Sequence, residues 1–354
     1  MKKITTVLLI LLLTVAMTAC TPQRVDSSGP LSNGPISSQT NPFEDASEVP
    51  DGTLGSIGHG PARTNQDENG NKLPFVYQGG VMRIPYEVSA SGKAKNVGFL
   101  VFVDGIAQPY QTDADPTYRT MHVMNLEEND KKYPFSILFE PVTGKKGDTL
   151  SLMIVSVYAP DFIPDMVNTS SYGMYHDTLA AEYELTFEAD AQNPSSSDLP
   201  HYLQLQNVKQ STQPVTQEYL DSLSIYSGMQ DVTLEMLNKQ VFAQQFFDGE
   251  GGLLSNLHVN QDGTLHITFQ IVGYPGARYR STFYINHEAL ADGETTSFET
   301  VLTKGNVSVI EADLALSQLE DLNTFYVVST LCNVQELWED GIFLNKTDSV
   351  LLYQ

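Results

Sequence analysis

Basic residues are scarce: 19 Lys and Arg stand against 43 Asp and Glu in 354 residues, a formal charge of −24. That balance excludes a nucleic-acid surface, because little is there to replace the counterions of a phosphate backbone. Sulfur is scarcer still. Two cysteines, Cys20 and Cys332, rule out a disulfide framework and any zinc site built on three or four thiolates. Tryptophan occurs once, at Trp338. There is no Gly-x-Ser-x-Gly elbow, Ser-x-x-Lys, His-Glu-x-x-His or Gly-rich phosphate loop, so the common nucleophilic, zinc-hydrolytic and nucleotide-dependent chemistries have no motif here. Amphipathic helical stretches are missing from residues 73–190. What the chain does have is 41% apolar and 10% aromatic residues, enough for most of it to fold. Its length suits two ordinary domains once unstructured ends are set aside.

Lys2 and Lys3 precede an apolar run from Ile4 to Met17 broken only by threonines, and Thr18 and Ala19 then lead to Cys20. A run this short and this abruptly ended is a signal peptide over residues 1–19 rather than a stable membrane span. The string Met17-Thr18-Ala19-Cys20 resembles the lipobox of bacterial lipoproteins. The resemblance is confined to this segment. It implies diacylation of Cys20 and anchoring of the mature chain in membrane lipid, on the extracytoplasmic face of the cell membrane. Two acyl chains supply the double signal that stable anchoring requires. With Cys20 acylated, Cys332 has no intramolecular partner, and its place in the apolar run Phe325 to Cys332 marks a buried structural thiol.

Residues 20–72 read as a flexible tether. Only nine of the 52 residues from Thr21 to Lys72 are Val, Leu, Ile, Phe or Ala, and they follow no period, so no packed face can form. A flexible chain of that length has an end-to-end distance of about 40 Å. Residues 191–201 have linker composition and divide the remainder into a first domain over 73–190 and a second over 202–354.

Short alternating runs dominate both parts. Met82, Ile84, Tyr86 and Val88 alternate with polar residues, and Phe99, Val101 and Val103 lead into the turn Asp104-Gly105. This pattern predicts antiparallel strands. The runs also repeat. Val76, Gln78, Gly80 and Ile84 recur without a gap as Val259, Gln261, Gly263 and Ile267. Phe99 to Gly105 then resembles Ser281 to His287, and the run from Gly147 to Tyr158 resembles Leu319 to Leu331 with Ser156 matched to Ser329. Three stretches in one order predict a duplicated unit. Each unit resembles an immunoglobulin-like sandwich, although the Cys…Trp…Cys core of antibody domains is absent and the resemblance is architectural only. The fold class is therefore all-β: two tandem immunoglobulin-like antiparallel β-sandwiches after a tether. The second domain carries an extra N-terminal segment, with Tyr219 to Glu250 favoured as strands over a helix because Val232, Leu234 and Met236 alternate.

Candidate sites are few. A type I turn over Asn260 to Gly263 would pair Asn260 with Thr264 and set His258 opposite His266 on one exposed face, a weak imidazole pair for a transition metal. Asn65, Asp67, Asn69 and Gly70 match the start of a calcium loop, but Val76 stands where the closing glutamate belongs. Calcium and a transition metal are thus the only ions with a candidate here, and no other cofactor is implied. The segment from Tyr158 to Asp177 is long and aromatic, which makes Tyr172 and Tyr175 a candidate contact surface. Trp338 and Phe343 offer a second. The functional expectation is a non-catalytic cell-surface binding or adhesion module for an extracellular protein or polysaccharide. The alternatives are a wall- or glycan-directed hydrolase using a carboxylate pair and an accessory subunit of a membrane complex.

Overall fold

In the computed structural model, the residues described are 55–63, 66–163, 172, 175–192, 199–229, 231–247, 256–333 and 343–354. The expected signal peptide, Cys20, the expected tether as far as residue 54, Asn65 and Trp338 lie outside them. Alternation along the chain becomes alternation of burial: Met82, Ile84, Tyr86 and Val88 are buried while Arg83, Pro85 and Glu87 are not. A period of two is what a strand with one face on a core imposes.

Ten strands build the first sandwich. They are β1 (Ser56–Pro61), β2 (Phe75–Tyr77), β3 (Met82–Ser91), β4 (Asn96–Val103) and β5 (Ile106–Ala107). β6 (Gln111–Thr112), β7 (Met121–Asn125), β8 (Tyr133–Phe139), β9 (Thr149–Tyr158) and β10 (Thr178–Phe187) complete it. One sheet runs β1-β3-β8-β6 and the other β2-β10-β9-β4-β5, with β7 also on β4. Between them lies a core that includes Tyr86, Phe99, Tyr110, Phe139 and Ile154.

The second sandwich begins with β11 (Leu203–Pro214) and a helix, α1 (Gln217–Ser227). β12 (Val241–Phe247), β13 (Asn256–His258), β14 (Thr264–Gly273), β15 (Arg278–Ile285) and β16 (Glu288–Ala291) follow. Then come β17 (Phe298–Val301), β18 (Asn306–Ala315), β19 (Leu322–Leu331), β20 (Leu344–Lys346) and β21 (Val350–Tyr353). β11 pairs with β18 over most of its length and with β16 at Leu203 and Gln204, so it links the two faces into one continuous path, β12-β14-β18-β11-β16-β15-β19-β21-β13.

The two sandwiches share their wiring. β1-β3-β8 corresponds to β12-β14-β18, and β2-β10-β9-β4-β5 to β13-β21-β19-β15-β16. β2 runs parallel to β10, and β13 runs parallel to β21. The turn after β4 has Asp104 at φ 49° and Gly105 at 76°, and the turn after β15 has Asn286 at 48° and His287 at 66°. Two successive positive φ values define the tight hairpin turn whose twist suits antiparallel strands. Asp104 N donates to Ser151 O at 2.8 Å, and Asn286 N donates to Thr324 O at 2.9 Å.

Three expectations are corrected here. The tether was expected to reach residue 72, but Ser56–Pro61 forms β1 on the edge of β3. His59 secures it: Nε2 donates to Leu179 O at 3.0 Å while Nδ1 accepts from the Tyr86 hydroxyl at 2.7 Å. Residues 219–250 were expected to be strands, yet α1 covers Gln217–Ser227 and a 3-10 turn covers Met236–Asn238, with β12 only from Val241. Thr216 caps α1 by accepting from Tyr219 N at 3.2 Å, and Gly228 ends it in the left-handed conformation. Leu220 and Leu223 then pack with Leu237 on Val272 and Val309. Finally, the hairpin from Asn260 to Thr264 does not form. β13 joins β21 whereas β14 lies between β12 and β18, so the chain crosses between sheets where a turn within one was expected.

The described residues form one compact unit. A third core explains why: the outer faces of β4 and β9 meet the outer faces of β15 and β19. Phe102, Met153 and Val155 from the first sandwich are buried there with Tyr284, Tyr326 and Val328 from the second. Tyr284 and Tyr326 stack at 5.1 Å between ring centroids. Burying an aromatic of this size contributes about 2–3 kcal/mol each.

Candidate functional site

Beside this third core the strands of the two sandwiches diverge and leave a cleft of about 640 Å³. Its floor is the outward face of β9 and β10, where Ser151 and Glu184 are paired neighbours and Glu182 lies one step along. Its far wall is Arg278, Cys332 and Asn333 of the second sandwich, and Asp104 closes one end. Strand periodicity sends Glu182 and Glu184 outward, because Leu185 and Phe187 must face the first core.

The chemistry of the floor is set by burial. Ser151 Oγ donates to Glu182 Oε1 at 2.9 Å, while Glu182 Oε2 is shielded and has no hydrogen-bond partner. Desolvation raises the Glu182 carboxyl above the usual range; Ser151 opposes this and Glu184 adds to it. At the cleft's end Arg280 Nη1 meets Asp104 Oδ2 at 2.5 Å and Nη2 meets Glu299 at 2.9 Å, which ties the first sandwich to the second. Gly105 fits against this wall only because it lacks a side chain: a Cβ would stand 2.6 Å from Thr330 Oγ1 and 3.1 Å from Cys332 Sγ. Burial pushes the Cys332 thiol up to about 12, so it is a protonated thiol and no nucleophile.

At the opposite end of the junction sits a polar cluster. His287 Nε2 donates to Pro160 O at 2.9 Å and its Nδ1 accepts from the Tyr326 hydroxyl at 3.0 Å. His176 packs edge-on against it at 5.2 Å, bonds Ser349 Oγ through Nδ1 at 2.9 Å, and leaves Nε2 without a partner. Burial, with the neighbouring Lys346 ammonium, lowers His287 to about 4; burial, His287 and Lys346 lower His176 to about 2. Burial also brings Lys346 down to about 8, over the ring of Tyr326 at 4.6 Å.

The residues expected to carry function are distributed differently. Tyr172 was expected on a contact surface; it is 1% exposed, with its hydroxyl bonded to Thr324 of the second sandwich. Its segment is aromatic because it is packed, not because it is presented. Tyr175 is half-buried and stacks on Phe162 at 3.7 Å. Phe343 packs against the second and third cores, and Trp338 is outside the described residues. His258 and His266 are not brought together. His258 packs on Tyr353 at 5.2 Å, and His266 Nδ1 donates to Asp313 at 2.8 Å. Asp67, of the calcium-like string, closes its own turn by accepting from Asn69 N and Asn71 N at 2.8 and 2.9 Å. Among the described residues no group of three or more His, Cys, Asp or Glu is poised for a metal ion. Ser151, Glu182 and Arg278 were missed. Nothing local marks them, since they converge only through the junction.

Strand order and shared wiring place this chain among tandem immunoglobulin-like β-sandwich proteins. No protein-family model matches the sequence, and no curated protein does. Similar solved structures include the N-terminal Ig1-2 module of the Drosophila receptor protein tyrosine phosphatase DLAR. Identity there is 13% over 85% of this chain and 98% of that one, with a TM-score of 0.19. The C-terminal domain of the Streptococcus agalactiae AgI/II polypeptide BspA is 8% identical, covers 85% of this chain and 100% of its own, and scores 0.20. The corresponding domain of the Streptococcus pyogenes antigen I/II-family protein AspA gives 6%, 85%, 100% and 0.21.

Proposed function

We propose that this chain is a lipid-anchored, extracytoplasmic binding module that holds a protein or polysaccharide ligand without chemical turnover. The observation that carries the reading is the cleft of about 640 Å³ between the sandwiches, which joins an apolar rim to a few convergent polar groups. The lipobox-like string ending at Cys20 supplies the location. The test is retention of the full chain on purified wall polymers and on membrane protein extracts. Glu184→Arg, at an exposed position, and Ser151→Trp, which fills the cleft, should each abolish retention while leaving the thermal transition in place. Retention that ignores both variants would remove the cleft from the proposal. Cys20→Ser should move the chain from the membrane fraction to the soluble one.

One observation favours a second reading. Glu182, with its carboxyl raised by desolvation, lies two residues from Glu184 on the same outward strand face, and a neighbouring pair of carboxyl groups is what glycoside hydrolysis uses. Release of reducing ends from a wall polymer, lost in Glu182→Gln, would establish that reading over binding alone.

A further inference from the structure

The two sandwiches meet through equivalent surfaces. Phe102 corresponds to Tyr284, Ala107 to Ala289, Met153 to Tyr326 and Val155 to Val328, and all eight are buried in the shared core. The contacts at its ends run both ways. The turn Asp104-Gly105 rests on the strand end at Thr330 and Cys332, while the turn Asn286-His287 reaches Pro160 just beyond the end of β9. The junction is thus a local two-fold arrangement with two related ends.

Those ends differ in what fills them. Ser151 of the cleft floor corresponds to Thr324, because each accepts through its carbonyl from the turn's first residue. Glu182 faces Met153 across β10 and β9, and continuing the β21–β19 register by one residue sets Ser349 in the same relation to Tyr326. At the second end, Thr324 and Ser349 are covered by the chain's own aromatic segment. The Tyr172 hydroxyl bonds Thr324, and His176 bonds Ser349. At the first end, Ser151 and Glu182 line an open cleft.

Resting on the reading of this cleft as a binding site, we infer that it takes a peptide turn carrying a tyrosine and, four residues later, a basic residue, as the turn in which Tyr175 N donates to Tyr172 O at 3.0 Å sets Tyr172 and His176. The tyrosine repeats at Ser151 what Tyr172 does at Thr324. The basic group repeats what His176 does, with one change of sign: neutral Ser349 suits a neutral imidazole, whereas the Glu182 position suits an ammonium or guanidinium. Exposed Glu184 adds to that sign, while Asp104 is already offset by Arg280. Lys72 and Arg278, on the other walls, are placed for carbonyl or carboxylate oxygens of the peptide.

The probe is a synthetic peptide copying residues 172–177 with His176→Lys, titrated into the full chain by calorimetry. It should bind about tenfold more tightly than the same peptide with Tyr172→Ala, and Glu182→Gln in the protein should weaken it by about tenfold. Ser349→Ala, at the filled end, should leave its affinity unchanged. Binding indifferent to Glu182→Gln overturns the inference. Purified wall polysaccharide forms the parallel arm. If it binds with dependence on Glu182 and the peptide does not, the binding-module reading stands and the peptide inference falls. If neither binds, both fall.

Discussion

The turns Asp104-Gly105 and Asn286-His287 have the same backbone and opposite surroundings. Gly105 at φ 76° lies flat against Thr330, Arg280 and Cys332 with no space for a Cβ. His287 at φ 66° carries a whole imidazole, which reaches Pro160 and Tyr326. The hairpin demands a positive φ at both, which glycine meets freely and histidine meets at a cost, and the side chain is decided by the other sandwich. The duplication therefore preserved the scaffold of each unit and diverged at the junction, where one end was filled by the chain's own aromatic segment and the other left as a cleft.

The strongest way to break this comparison is to empty the shared core. Phe102→Ala should cost about 3–5 kcal/mol, and its counterpart Tyr284→Ala a similar amount, because both deletions open the same interface. Urea denaturation should show a lower midpoint and the separation of one transition into two. A loss for one variant and none for the other would deny the two-fold equivalence. A milder test is Gly105→Ala, which adds a clash with Thr330 to an unfavourable φ for a total of about 2–3 kcal/mol. His287→Ala, which introduces no such clash, should not disturb Arg280 and Asp104, and crystal structures of the two variants would check this.

The smallest effect sharpens the comparison through pH. His176 and His287 are held below their usual range, so the unfolded chain binds more protons than the folded one. Their contribution is complete above about pH 6.5 and is lost as pH falls from there to about 4 for His287 and about 2 for His176. Each histidine accounts for a slope of about 1.4 kcal/mol per pH unit in its window. His59 and His122 are lowered by burial as well and add slope of the same sign, so His176→Asn should reduce the slope of denaturation midpoints between pH 6.5 and 5 by one histidine's share rather than abolish it. Variants of the open end, such as Glu184→Arg, should leave it unaltered.

Fold class was legible because one-sided burial writes a period of two into β3, β4, β9 and their counterparts, and because the repeat aligned those same strands. β1 was not legible. Its sequence Ser-Ile-Gly-His-Gly-Pro has two glycines, a proline and no fully buried residue, and it is a strand only because the edge of β3 and His59 make it one. The missed β1 and the unmatched residues 219–250 were a single error, since β12 from Val241 is the counterpart of β1. α1 had its signals, Thr216 before it and Gly228 after it, but its buried face is little more than Leu220 and Leu223. The histidine pair failed because alternation predicts which residues face a core and is silent on which sheet the next strand joins. Cleft residues were illegible for a stronger reason: Ser151 and Arg278 become neighbours only after both sandwiches have folded and docked.

Cys332 gives this junction a chemical clock. Its sulfur lies against Gly105, with Asp104 O at 3.8 Å, and burial pushes the thiol up to about 12, which holds it protonated. Oxidants therefore find little thiolate to attack there while the sandwiches are docked. Undocking restores an ordinary thiol, so an alkylating reagent should capture Cys332 faster whenever a variant makes the two halves part more often, above the slow reaction it has from the cleft.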